Sequence, residues 1–172
     1  MKMAEKKSGI EQQLVVFTLG NESYAVDINT VKEIIQLQPV TRLPGTPPSV
    51  EGVINLRGSV IPIVDLRKRF EMDQVNRSKD SRIVVVSCGN SSVGVIVDSV
   101  AQVLRIPRES IEPASNVFSE EQVEYLLGIV KLTNRLIILL DMDRILTTQE
   151  LSSLRALETR NSSARDREAV PA

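Results

Sequence analysis

Val15-Val16-Phe17-Thr18-Leu19-Gly20-Asn21 and Val84-Val85-Val86-Ser87-Cys88-Gly89-Asn90 repeat one pattern at a spacing of 69 positions, an apolar run closed by Gly-Asn. The same offset sets Tyr24, Val26 and Ile28 on Val93, Val95 and Val97, and Val31, Ile34 and Ile35 on Val100, Val103 and Leu104. An offset of 76 then sets Gly52-Val53-Ile54 on Gly128-Ile129-Val130, Leu56 on Leu132, Val60-Ile61 on Leu136-Ile137, and Ile63-Val64-Asp65 on Leu139-Leu140-Asp141. The seven extra residues fall in one place, the segment 105–127. Two copies of one short-stranded unit explain this pattern.

Working outward from the repeat, Val, Ile and Leu recur in bursts of five to seven residues bounded by Gly, Asn, Pro or charge clusters. Such bursts predict strands. Ten are expected, over 14–19, 24–28, 33–38, 51–56, 59–65, 82–88, 93–97, 102–106, 128–132 and 135–141. Residues 66–70 predict one or two helical turns, and the polar stretch 72–81 predicts a connection between halves. A single longer helix is expected over 149–160, with Leu151, Leu154 and Leu157 at three-residue steps behind the capping Thr147-Thr148 and Glu150.

Five short strands without covering helices cannot form a large flat sheet. Curling each set into a small barrel hides its edges, and packing two barrels together buries the remaining apolar faces. The runs 61–64 and 136–140 do not alternate, so both faces of those strands should be covered. Pro62 lacks an amide donor and is expected on an edge strand or at a bulge. The expected fold is all-β: two pseudo-symmetric five-stranded barrels on a shared hydrophobic core, followed by a short C-terminal helix. The organisation is a flexible segment 1–11, a domain 12–148 and a C-terminal helix and tail 149–172. The first barrel covers about 12–70 and the second about 80–146, with strand exchange between them allowed.

Composition narrows the chemistry. The 172 residues are 42% apolar and 3% aromatic, with 21 Lys+Arg against 22 Asp+Glu. A balance so near neutral offers no basic field for nucleic acid or an anionic membrane. No histidine is present, which removes Ser-His and Cys-His dyads, imidazole metal ligands and a phosphohistidine role. One cysteine, Cys88, excludes an internal disulfide and a thiolate metal cluster, and it reads as a small buried hydrophobe. No apolar run approaches the ~18–20 residues that span a bilayer, and residues 1–10 are charged and polar, unlike a signal peptide. The expectation is a cytoplasmic, non-catalytic binding protein with no cofactor, no metal, no nucleic acid and no direct membrane insertion.

The remaining motifs carry modest readings. Gly20-Asn21 and Gly89-Asn90 are hairpin turns. Asp27, Asp65, Asp98 and Asp141 each follow an apolar strand and are expected to cap the next turn. Pro44-Gly45-Thr46-Pro47-Pro48 is a stiff loop, equally suited to pure structure and to docking. Arg57-Gly58 makes a hairpin tip, yet Thr133-Asn134 fills that place in the second copy, so the turn does not require Arg57. Its guanidinium is expected to brace a neighbouring loop, with contact to a partner's carboxylate or carbonyls as the alternative.

Three segments resemble the CheW family of bacterial chemotaxis coupling proteins. They are Phe17-Thr18-Leu19-Gly20 with Tyr24, Val26-Asp27-Ile28 and Val31-Lys32-Glu33-Ile34; Gly52-Val53-Ile54-Asn55-Leu56-Arg57-Gly58 running on to Pro62-Ile63-Val64-Asp65-Leu66-Arg67; and Val93-Gly94-Val95-Ile96-Val97-Asp98 with Tyr125-Leu126-Leu127-Gly128. The resemblance covers about 12–146 and implies two intertwined SH3-like barrels. It also implies an adaptor without catalysis, bridging a CheA-type histidine kinase (through its regulatory domain) to the cytoplasmic tip of methyl-accepting chemotaxis receptors, and recruited to membrane-associated receptor arrays. By matching position, it implies receptor contacts at Val31, Glu33, Ile34, Asn55, Arg57, Gly94 and Val103, and kinase contacts at Leu43, Pro44, Val50 and Ile61. The alternative function is a barrel module for a small ligand or single-stranded nucleic acid. It suffers from having only five aromatics (Phe17, Tyr24, Phe70, Phe118, Tyr125) to serve as stacking platforms.

Overall fold

The computed structural model describes residues 10–73, 76–117, 119 and 124–144. The helix expected over 149–160, the tail behind it, nearly all of the N-terminal segment and Phe118 lie outside the described residues. Among the described residues eleven strands are present: β1 (Glu11–Leu19), β2 (Glu22–Asp27), β3 (Val31–Gln36), β4 (Val50–Leu56), β5 (Ser59–Asp65), β6 (Arg82–Cys88), β7 (Ser91–Val97), β8 (Ser99–Pro107), β9 (Ile111–Pro113), β10 (Leu126–Lys131) and β11 (Leu136–Leu140). One helical turn, α1 (Leu66–Arg69), follows β5 where turns were expected. The unexpected strand is β9. Three residues, one of them proline, leave no hydrophobic period to detect.

The strands form two sheets, in the orders β3-β6-β7-β5-β4 and β8-β1-β2-β11-β10-β9. Each sheet therefore mixes the two copies of the repeat. The hairpin β6-β7 completes the sheet of β3, β4 and β5, while β1-β2 completes the sheet of β8 to β11. Two parallel pairings join the exchanged hairpins: Ile63 opposite Gly94 in β5·β7, and Leu139 opposite Ala25 in β11·β2. Those two pairs superpose under the offsets of 76 and 69, so the exchange obeys the same pseudo-symmetry as the sequence.

Alternation along the strands then divides the apolar residues among three cores. Leu14 and Val16 of β1, with Ala25, Val130, Ile137 and Leu139, fill the second barrel. Their counterparts Ile83 and Val85 of β6, with Ile54, Ile61 and Ile63, fill the first. The opposite faces supply Val15, Phe17 and Leu19 from β1 and Val84, Val86 and Cys88 from β6 to the core shared between the barrels. Burying each such aliphatic side chain contributes about 1.5–3 kcal/mol. The two-sided covering expected of 136–140 holds from Ile137 onward, whereas Leu136 at the strand's start is 56% exposed.

Each barrel is closed by the chain leaving its edge strand. In the first, Thr41 exchanges both backbone hydrogen bonds with Val53 of β4 (2.8 and 2.9 Å); in the second, β9 pairs with β10. The closing strand passes so near that a Cβ on Gly52 would stand 2.0 Å from the Thr41 carbonyl oxygen, and one on Gly128 2.8 Å from that of Glu112. This close approach explains why the repeat keeps glycine at both positions.

Pro62 departs from expectation. Its strand β5 is not an edge, since β4 and β7 flank it. It is tolerated because the ladder with β7 begins one residue later, at Ile63. Three of the four aspartates cap as expected: Asp27 Oδ1 accepts from Asn29 N (2.7 Å), Asp65 Oδ1 from Arg67 N (2.9 Å) and Asp141 Oδ1 from Asp143 N (3.0 Å). Asp98 has a different partner, described below.

Candidate functional site: two docking faces

The tip of the β4-β5 hairpin is Arg57-Gly58, with φ of 52° and 88°. Positive φ at both central residues is the turn geometry that favours Asn-Gly. Arginine there is strained by about 1 kcal/mol. The counterpart tip Thr133-Asn134 spans the same two positions without positive φ. Asn55 Oδ1 accepts from Gly58 N at 2.9 Å and holds the turn. The Arg57 guanidinium pairs with the Glu33 carboxylate of β3. Bracing, the favoured sequence reading of Arg57, is thus seen, and it leaves the guanidinium largely in solvent.

Next to Glu33 in the chain stands Ile34, 41% exposed; its counterpart Val103 in β8 is 54% exposed. Ile34 lies opposite Val84 and Val103 opposite Val15. Directly opposed residues project from one face of a sheet, and Val84 and Val15 both belong to the shared core. Ile34 and Val103 therefore extend the seam face of each sheet into solvent, at the two edge positions where no further strand covers it. Val31 packs partly buried against the same core. Gly94 is different: it is buried, with a Cβ there meeting Ile63 Cδ1 at 2.7 Å and Ile83 Cγ2 at 2.8 Å, so it faces the first barrel's interior and not the seam.

Leu43, Pro44 and Val50 line a pocket of about 510 Å³ on the first barrel, together with Arg42, Thr46, Pro47, Pro48, Glu51 and Lys68. Ile61 does not reach it, being packed in that barrel's interior. The proline loop is stiffened by Val50 N donating to Pro47 O (3.0 Å) and Thr46 Oγ1 donating to Leu43 O (3.3 Å). Glu51, the extra residue of a bulge between Val50 and Gly52, is only 7% exposed. The Lys68 ammonium stands 2.5 Å from its Oε2, with Arg77 3.6 Å from its Oε1. Burial pushes the Glu51 carboxyl up, but Lys68, Arg77 and Arg42 outweigh it and hold the group below the usual carboxylate range. Arg77 also bonds Asp65 Oδ2 at 2.9 Å, tying the segment between halves to the first barrel.

A second ionic pair, Arg67–Asp98, crosses between the halves. Arg67 donates Nε and Nη2 to the two oxygens of Asp98 (3.0 and 2.6 Å) and Nη1 to the Asp73 carbonyl (2.6 Å), while Gly20 N donates to Asp98 Oδ2 (2.7 Å). The fork of hydrogen bonds from Arg67 pulls the Asp98 carboxyl down, and Asp98 in turn raises Arg67. The β1-β2 turn, α1, the β7-β8 junction and the connecting segment meet at this pair. Phe17, Tyr24, Phe70 and Tyr125 pack in series with centroids 5.4–6.2 Å apart, the outer two pairs stacked and the Tyr24–Phe70 pair tilted.

The structure brings Glu33, Asn55 and Arg57 together at the β4-β5 hairpin; the sequence reading did not single out Arg42, Glu51, Lys68 or the Arg67–Asp98 pair. One signal was available: Glu51 sits where the second copy carries Leu127, a charge replacing an apolar residue in an otherwise faithful repeat.

The family profile described as the CheW-like domain matches residues 13–150. The chain is 38% identical over 143 residues to the chemotaxis protein CheW of Klebsiella aerogenes, covering 83% of this chain and 86% of that protein. It is 34% identical to the chemotaxis protein CheW of Bacillus subtilis, covering 87% and 95% respectively. Among solved structures it is similar to the scaffolding protein TtCheW from Thermoanaerobacter tengcongensis, with a TM-score of 0.74, 37% identity and coverage of 81% of this chain and 94% of that one.

Proposed function

Since the chain belongs to the CheW-like domain family, we propose that it is a non-catalytic adaptor coupling a CheA-type histidine kinase to the cytoplasmic tip of methyl-accepting chemotaxis receptors. The relatives are chemotaxis and scaffolding proteins by name, and the placement of this chain's own residues supports the same role. The observation that carries the reading is Arg57. A strained backbone, spent on a residue that the hairpin does not need, sits beside an exposed aliphatic on a seam between two rigid barrels.

A receptor helix supplies apolar anchors at i, i+3, i+4 and i+7. Ile34 and Val103 offer aliphatic surface at the seam for such anchors, and the Glu33–Arg57 pair supplies polar contacts beside them. The kinase regulatory domain docks on the first barrel around Leu43, Pro44 and Val50. Near-neutral net charge makes shape and apolar burial the main source of affinity. Individual contacts of about −8 kcal/mol, in the micromolar range, suffice when an array multiplies them.

The alternative reading, a stacking platform for single-stranded nucleic acid, loses support from the aromatics. All four within the described residues pack on one another and on the shared core and are not lined along an open face. Pull-down from native lysate tests the adaptor role. A CheA-type kinase and a receptor both come down with the wild-type chain, whereas Arg57→Glu and Ile34→Asp lose the receptor with unchanged circular dichroism. Full coupling by both variants would overturn the site assignment.

A further inference from the structure

The pocket beside the proline loop holds an unbalanced set of charges. Its floor carboxylate Glu51 is served by Lys68 and Arg77, and Arg77 also serves Asp65. Arg42 lies within the field of Glu51 and lines the pocket, yet it makes no hydrogen bond or ion pair among the described residues. Of the lining residues, two cations, Arg42 and Lys68, face one carboxylate, Glu51, and Arg42, the one left over, is exposed at the rim.

The backbone that carries Arg42 is held in place. Its neighbour Thr41 is fixed by both backbone bonds to Val53, and the stiff loop 43–50 forms the opposite wall. A preformed rim lowers the ordering cost of docking. Leu43, Val50 and the prolines offer aliphatic contact for a short methylene stem. The lining contains no aromatic side chain, unlike most small-molecule sites.

We propose that this pocket receives an acidic side chain, Glu in preference to Asp, from the partner docked on the first barrel, with the Arg42 guanidinium as its bidentate counter-ion. The inference rests on the kinase-facing assignment above and adds the chemistry of what enters. A basic side chain would meet Arg42 and Lys68, and a purely apolar one would leave Arg42 desolvated and unmatched, a costly arrangement at an interface.

The test measures binding of the full chain to the purified regulatory domain of a CheA-type kinase by isothermal titration calorimetry. Arg42→Glu should weaken binding about tenfold or more, and Arg42→Lys should keep most of it. A Glu→Arg change on the kinase domain should restore affinity to Arg42→Glu. Lys131→Glu, the same charge change on the second barrel, should leave affinity unchanged. If the wild-type chain binds but Arg42→Glu binds equally well, or Lys131→Glu weakens binding as much, the pocket assignment is overturned and the adaptor role survives. If the wild-type chain binds no such kinase domain, both are overturned.

Discussion

The two barrels share a fold but not a surface. Gly52 and Gly128 serve one need in both, close passage of the closing strand. At the next bulge position inward, the first barrel has buried Glu51 and the second has exposed Leu127. At the hairpin tip the first has a left-handed Arg57 and the second an ordinary Thr133-Asn134. At the glycines the backbone dictates the residue in both copies, and at 51/127 and the hairpin tip it does not. After a duplication, matched positions that still agree report on folding, and those that disagree report on what each copy came to bind.

The comparison can be broken most drastically by cutting the chain between halves. Because each sheet takes a hairpin from the other half, a fragment ending at residue 73 should show no cooperative unfolding transition alone, and mixing it with residues 76–172 should restore one. Two autonomous transitions would refute the exchange. Next in size is Gly52→Ala. It combines a clash with fixed backbone and a φ of 146°, and should cost about 3 kcal/mol or more in urea denaturation. Gly128→Ala lacks the φ penalty and should cost about 1–3 kcal/mol. Equal costs would show that the φ of Gly52 adds no penalty beyond the close passage that both glycines share.

Smaller effects sharpen the picture. Asp98→Asn should cost about 1–3 kcal/mol by removing a charge-assisted fork from Arg67. The Asp98 and Glu51 carboxyls are both held down in the folded chain, so the stability they lend is complete above about pH 4, the unfolded carboxylate range, and is lost as pH falls below it. A urea midpoint followed from pH 6 to pH 3 should fall less steeply in Asp98→Asn than in the wild type. Smallest on stability is Arg57→Gly. It relieves the left-handed strain and should leave the midpoint unchanged or raise stability by up to about 1 kcal/mol, while weakening receptor binding. A variant both less stable and fully coupling would mark Arg57 as structural.

Much of this fold was legible because the repeat is written in aliphatic residues. The pairs 15/84, 26/95 and 63/139 locate strands and their equivalence directly. The exchange of hairpins was only allowed by the sequence, not fixed by it, since β1-β2 presents the same apolar pattern to either barrel. The short β9 lacked a period to detect, and Pro62 misled because local ladder geometry, not strand position, decides whether its missing amide matters. Within the candidate site, Arg57-Gly58 was legible as a hairpin tip, whereas Glu33 and Asn55 came only with the family resemblance. The Arg67–Asp98 fork joins residues 31 positions apart, and no local pattern announces such a pair.

If the seam face and the proline-loop face are separate docking sites, one chain holds kinase and receptor at the same time. Analytical ultracentrifugation of the full chain with a kinase regulatory domain and a receptor-tip fragment tests it most directly. The account predicts a single ternary species, reduced to the kinase-only complex by Ile34→Asp and to the receptor-only complex by Arg42→Glu. Mutual exclusion of the two partners, or loss of both through either substitution, would contradict it.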